Sequence, residues 1–374
     1  IQVFDTQGNF IRGIGKGVDG VSGPPTESGS QIKCSMRGGY WRYGRLEGQR
    51  RFCYEKEGAF EDPYRVALDD QDNLYVLEGA GQRLQKFDPS GKFLSANYSF
   101  FQYPKGLTID TASGQIYAAD TYGASNRNRN GTGRVQVFNG DLRSLSTINS
   151  YIWQNQSNRT WGRYQFYSPN SVAYHNNRLY VTERARRNVS ILKHLTAKNS
   201  DCELPRNNNC GRWELESRFI SYWRMRDLGG VAVSDSDEVY LVDRYHHNVQ
   251  VFSSSGRFLR KWGGRGEADG QFLYPTDLAI GQCPAIEEEE TECTGEEESE
   301  EYFVYVADQR NHRIQKFDAE GNFVSQWGKQ GRYGTNRVTY SYGKIPPGGY
   351  FFHPYDVAAD NKGNVYVADT ANDR

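Results

Sequence analysis

The sequence predicts an all-β fold built from repeated four-stranded sheets, the architecture of a β-propeller. Three observations predict it. The composition favours strands and turns: among 374 residues there are 26 Tyr, 19 Phe and 40 Gly but 2 Met. One motif recurs from end to end. The last copy of that motif stops at Arg374, and the first residues of the chain resume it where it breaks off. The whole chain, 1–374, therefore reads as a single propeller domain with insertions at about 17–58, 139–165, 193–226, 281–301 and 329–350.

Each copy opens on a residue that commonly precedes Pro, followed by an apolar triplet, a turn, and a short Tyr-centred strand ending in an acid. The first runs Asp62–Leu68 and Asn73–Glu78; Arg83–Asp88 then forms a third strand before the Pro89–Lys92 turn. The second is Tyr103–Ile109 with Gln115–Asp120. The third begins at Ser168–Pro169 and reaches its acid in Leu179–Glu183. The fourth lacks Pro: Leu228–Val231, Val239–Asp243, Asn248–Phe252 and a fourth strand Arg257–Trp262. The fifth starts at Tyr274–Pro275 and continues through Val304–Asp308, Arg313–Asp318 and the Ala319–Asn322 turn. The sixth starts at His353–Pro354, reaches Val365–Asp369 and ends at Arg374. Its missing half matches Ile1–Asp5, a Gln7–Asn9 turn and Phe10–Gly15. Two strands from each end would complete the last sheet and remove two open edges.

The run Val-Ala-Asp-x-x-Asn-x-Arg-Ile-Gln-x-Phe-Asp-x-x-Gly, residues 306–321, resembles the NHL-repeat family of propellers. The resemblance covers nearly all of the chain outside the insertions. In a family of closed rings, six copies imply six blades. The family's functions are diverse, spanning RNA binders, extracellular binding domains and an amidating lyase, so it implies no single activity.

The six cysteines fall in three close pairs, Cys34 with Cys53, Cys202 with Cys210, and Cys283 with Cys293, each inside one insertion. Local disulfides within each insertion are the simplest pairing, although six cysteines allow fifteen. Zinc spacing is absent. Disulfides place the chain in an oxidising, extracellular or secreted compartment. Five sequons, at Asn97, Asn130, Asn155, Asn158 and Asn188, agree with that compartment. Asn188 sits at the start of a third strand, the poorest position for a glycan. The chain begins at Ile1, which reads as a processed or trimmed piece of a precursor. No apolar run approaches the ~20 residues of a membrane-spanning helix.

The acids closing the second strands (Glu78, Asp120, Glu183, Asp243, Asp308, Asp369) could form a six-fold ligand ring. Arg83, Arg313 and Arg374 follow five residues later, which favours a structural acid–Arg pair repeated because the blade is repeated. The amidating lyases resembled here use zinc held by His in the central channel. Only His353 stands before a blade proline, so the sequence predicts no catalytic residue, metal or cofactor, and no enzyme.

Charge is nearly balanced, with 45 basic and 46 acidic residues and a mean hydropathy of −0.80, which excludes a globally basic nucleic-acid or membrane binder. Distribution says more. Links from second to third strands, and from fourth strands to the next blade, emerge on one face. That face is expected to carry most long insertions, including Lys33–Cys53 with Tyr40, Trp41, Arg42, Tyr43 and Arg45. The other face is expected to carry the run 287–301, which holds ten Glu, among them Glu287, Glu288, Glu289 and Glu290. A basic-aromatic face opposed to an acidic one suggests a non-catalytic extracellular binding or structural module. Its partner would be protein, bound head to tail in an assembly or filament. The competing readings are an enzyme resembling the amidating lyases, a glycan-binding propeller and a nucleic-acid binder; paired cysteines and sequons argue against the last.

Overall fold

The computed structural model describes residues 1–15, 57–98, 101–121, 132–148, 152–153, 161–162, 166–195, 212–219, 225–282, 302–331 and 347–374. The first five copies each fold into four antiparallel strands in sequence order, to which the sheet of blade 2 adds Phe166–Tyr167 and that of blade 3 adds Ile152–Trp153 and Trp161–Gly162. Blade 1 comprises Pro63–Leu68, Leu74–Glu78, Leu84–Phe87 and Phe93–Asn97. Blade 2 comprises Pro104–Asp110, Gln115–Thr121, Thr132–Phe138 and Ser144–Ile148. Blade 3 comprises Pro169–His175, Arg178–Glu183, Asn188–Leu195 and Arg212–Phe219. Blade 4 comprises Leu228–Val233, Glu238–Asp243, Asn248–Ser253 and Phe258–Gly263. Blade 5 comprises Pro275–Gln282, Tyr302–Asp308, Arg313–Phe317 and Phe323–Trp327. In the sixth sheet Asp356–Ala359 and Val365–Ala368 are joined by Gln2–Phe4 and Phe10–Gly13, with Val3 opposite Tyr366.

The hydrophobic core lies between blades rather than within them. Tyr240, Val242 and Val251 of blade 4 pack with Leu278, Val304 and Val306 of blade 5. Val3, Tyr366 and Ala368 of blade 6 pack with Val66, Leu74 and Val76 of blade 1. Second strands are covered on both faces, and every residue of Leu74–Glu78 is buried. This explains their near-continuous apolar sequences. The Tyr at their centres, Tyr75, Tyr117, Tyr180, Tyr240, Tyr305 and Tyr366, are all buried.

Two insertion boundaries need correction. The span 139–165 contains the fourth strand Ser144–Ile148, which pairs with Phe138–Val135. The span 193–226 contains the end of a third strand and the fourth strand Arg212–Phe219. Fourth strands form the outer rim, where Ser144–Glu216-type polar residues are tolerated, so their sequences lack the apolar signature of inner strands. A further consequence concerns faces. The chain leaves blade 3 after Leu195 and returns at Arg212, between third and fourth strands. Leu195 and Arg212, which bracket residues 196–211, therefore lie at the same end of the blades as Gln282 and Tyr302.

Hairpin turns at that end share a device. Asp69 accepts backbone N–H bonds from Gln71 and Asn73, Asp318 from Asn322, and Asp360 from Lys362 and Asn364. A short acid at the first turn position mimics a backbone acceptor and fixes the loop.

Candidate functional site

The six strand-two acids are completely buried, and each accepts a backbone N–H from the segment that enters its own blade. The donors are Glu61 to Glu78, Gln102 to Asp120, Tyr167 to Glu183, Arg226 to Asp243, Leu273 to Asp308 and Phe352 to Asp369. Four blades add an arginine: Glu78–Arg83 at 2.6 Å, Asp120–Arg134 at 2.9 Å, Asp308–Arg313 at 2.8 Å and Asp369–Arg374 at 2.9 Å. In blade 3 Ser190 donates to Glu183, and in blade 4 His246 Nδ1 lies 2.7 Å from Asp243. Each of these carboxylates is thus engaged by partners from its own blade. Their role is to pin the entering loop, and burial raises the Asp308 and Asp369 carboxyls above the ordinary range despite the arginines.

The axial channel is filled by a polar plug from the first strands. Arg65 of blade 1, which is 2 % exposed, ion-pairs with Asp356 at 2.9 Å and with Asp277, and donates to the carbonyls of Lys105 and Asn170. Asn170 in turn donates to the carbonyls of Leu228 and Gly229. One side chain thus ties blades 1, 2, 3, 5 and 6 together.

Above the plug, residues following the blade prolines and the strand-two acids meet at the channel mouth. Tyr64 and Tyr355 face one another with centroids 3.9 Å apart. Lys105 Nζ lies 5.6 Å from the Tyr64 centroid. The guanidinium carbons of Arg65 and Arg244 lie 5.3 Å and 5.8 Å from that of Tyr355. Arg184 pairs with Asp227 at 2.7 Å. Burial, reinforced by the positive charges of Arg184, Arg244 and Arg65, pulls the Lys105 ammonium below its ordinary pKa. Burial would raise the Tyr355 phenol, but the combined charges of Arg244, Arg65 and Lys105 outweigh it and draw that phenol down. Burial, reinforced by the neighbouring Tyr355, moves the Tyr64 phenol up.

Around the mouth stand three arginines stacked on tyrosines: Arg186 on Tyr167 at 3.8 Å, Arg226 on Tyr245 at 3.9 Å and Arg310 on Tyr274 at 4.1 Å. All six residues belong to links from second to third strands or between blades. Tyr103 and Tyr245 are exposed large aromatics on the same links.

None of these residues was singled out from the sequence, although bases do follow the acids directly, as in Glu183-Arg184-Ala185-Arg186-Arg187 and Asp243-Arg244. The interface candidates Tyr40, Trp41, Arg42, Tyr43, Arg45 and Glu287–Glu290 lie outside the described residues. So do all six cysteines and Asn130, Asn155 and Asn158. Asn97 ends the fourth strand of blade 1 and its Nδ2 donates to the Leu142 carbonyl at 2.5 Å. Asn188 opens a third strand, half-buried, with a buried Oδ1. His247 and His312 Nδ1 accept the backbone N–H groups of Tyr274 and His353, and the His312 and His353 rings lie 4.7 Å apart. Among the described residues no group of three or more His, Cys, Asp or Glu is placed to hold a metal.

Residues 224–286 match the sequence profile of a family described as "6-bladed beta-propeller". The fold is a six-bladed β-propeller. Two solved structures described as auxiliary nutrient binding proteins superpose on it. That from Bacteroides ovatus has a TM-score of 0.57 at 17% identity, covering 85% of this chain and 69% of its own. That from Bacteroides thetaiotaomicron has a TM-score of 0.54 at 15% identity, covering 85% and 68%. At such identities the likeness concerns the propeller fold. In sequence, the chain is similar to the protein brain tumor of Drosophila melanogaster, 25% identical over 140 residues. That match takes in 37% of this chain but a tenth of the curated relative's length, 10%. No helix among the described residues is long and apolar enough to cross a membrane.

Proposed function

We propose that this propeller is a non-catalytic binding module acting outside the cell, and that it engages protein, a second copy of itself foremost, through the face bearing the arginine–tyrosine stacks. The carrying observation is the set of three stacked pairs around one channel mouth. Arg and Tyr dominate interface hot spots, and stacking holds each guanidinium in place before a partner arrives. Tyr40, Trp41, Arg42, Tyr43 and Arg45 belong to the link between blades 6 and 1 and would extend this face. In sequence the ten-Glu run falls between Gln282 and Tyr302, two strand ends at the opposite end of blade 5, and would extend that face. A basic-aromatic face meeting an acidic one is a heterologous contact that propagates as a filament when its rotation does not close. The reading also takes the repeats as NHL-type, the ring as closed by strands from its two ends, and Cys34–Cys53, Cys202–Cys210 and Cys283–Cys293 as local disulfides visible in a non-reducing peptide map.

Sedimentation velocity tests the self-association. The unmodified chain should associate more strongly at low salt. Exchanging Glu287–Glu290 for Gln, or Arg186, Arg226 and Arg310 for Ala, should weaken association and flatten its salt dependence. A monomer at every concentration and at low salt removes the head-to-tail contact.

A further inference from the structure

We propose that the mouth of the central channel is a binding site for a single carboxylate group of an organic ligand, held between Lys105 and Arg244 and walled by Tyr64 and Tyr355. The inference rests on the reading that this face is the binding face, and names the chemistry recognised at its centre.

Charge accounting comes first. Four cations, Arg65, Lys105, Arg184 and Arg244, surround the mouth with the carboxylates Asp227, Asp277, Asp356 and, at the blade 1 position equivalent to Asp227, Asp62. Arg65 is taken by Asp277 and Asp356, and Arg184 by Asp227. Lys105 and Arg244 have no ion-pair partner among the described residues. Each rests instead against a tyrosine ring. Both are half-buried, so water screens their mutual repulsion poorly. Arg244 Nε is buried and makes no hydrogen bond among the described residues. Native structures seldom leave such a donor unmet unless something outside the chain meets it.

The geometry favours a carboxylate over other anions. The Nε–Nη edge of a guanidinium matches the two oxygens of a carboxylate. A monoanion adds the least negative charge above the already crowded Asp277 and Asp356, where a phosphate dianion would add two. Tyr64 and Tyr355 supply an apolar wall for a carbon skeleton, a contact that an inorganic anion cannot use.

The test is titration calorimetry on the whole chain at constant ionic strength, with sodium glucuronate, a capped glutamate, glucose and inorganic phosphate as probes. Saturable binding of glucuronate, with a dissociation constant on the order of 1 mM or tighter, is expected, with none for glucose. Capped glutamate distinguishes the source of the carboxylate: binding of both probes admits an acidic side chain of a partner, binding of glucuronate alone a free acid. Arg244→Gln and Lys105→Met should each weaken binding about tenfold or more while keeping a cooperative thermal transition. If Arg244→Gln fails to fold, Lys105→Met carries the comparison. Absence of saturable carboxylate binding, tighter binding of phosphate, or an affinity unchanged in both variants overturns the proposal. A chain that self-associates but binds no carboxylate overturns this inference alone; one that binds carboxylate but stays monomeric overturns only the head-to-tail reading.

Discussion

His247, His312 and Asp373 do one job with two chemistries. Each lies four residues after a strand-two acid, in the left-handed region at φ 57°, 56° and 54°. Each accepts the backbone N–H of the residue that opens the next blade: Tyr274 at 3.0 Å, His353 at 3.1 Å and Asp62 at 2.9 Å. Those openers are themselves left-handed, at φ 55°, 57° and 57°. A non-glycine residue pays a steric cost there, offset by the bonds that hold it. Only a neutral imidazole can accept through Nδ1. Burial, with the nearby His353, lowers the His312 pKa from 6.5 to about 4. Its contribution to stability is therefore complete above the unfolded-state value and is lost as pH falls from 6.5 towards about 4. In urea unfolding at about pH 7.5 and about pH 5, the wild type should lose more stability on acidification than His312→Asn, which keeps an acceptor without a titration in this range. Equal losses would remove His312 from that role. In the sequence His247 and His312 follow the acids Asp243 and Asp308 by four residues, but the acceptor role depends on a donor that belongs to the next blade.

At the scale of the element, legibility follows burial. Second strands such as Val239–Val242 and Val304–Ala307 are covered on both sides and announced themselves as apolar runs centred on Tyr. Fourth strands form the solvent-facing rim, and Ser144–Ile148 and Arg212–Phe219 were hidden among polar insertions for that reason. First strands pose a third case, because neighbouring ones converge on the axis. Gly106 permits this: a Cβ there would lie 2.9 Å from the Ser171 Cα of the next blade. The obstacle is backbone, not a side chain able to swing away. Gly106→Ala should cost about 1–3 kcal/mol, read as a lower urea midpoint at unchanged m-value. A neutral result would mean that the inner strands slide apart without penalty.

For the whole molecule, the interface between blades 6 and 1 contains residues from both ends of the chain, Val3 and Ile14 with Tyr366 and Val66. Deleting residues 1–13 should expose the edge of Val365–Ala368 and half of this interface. The expected outcome is aggregation or loss of the cooperative transition, checked by light scattering and circular dichroism. A stable monomeric deletion would show that the ring does not depend on these strands. The sequence by itself determined the repeat, the Tyr-centred cores and the acids that pin each blade, because these are contacts within one blade or between consecutive ones and recur with the motif. Only the tertiary structure decided that Tyr64, Lys105, Arg244 and Tyr355 share one channel mouth, that Arg65 closes the channel beneath them, and that Leu195 and Arg212 lie at the opposite end. Unequal insertions hide the shared position along the chain. Bending six blades around one axis brings that position from every blade onto a single circle, where the charges and rings of distant segments act together.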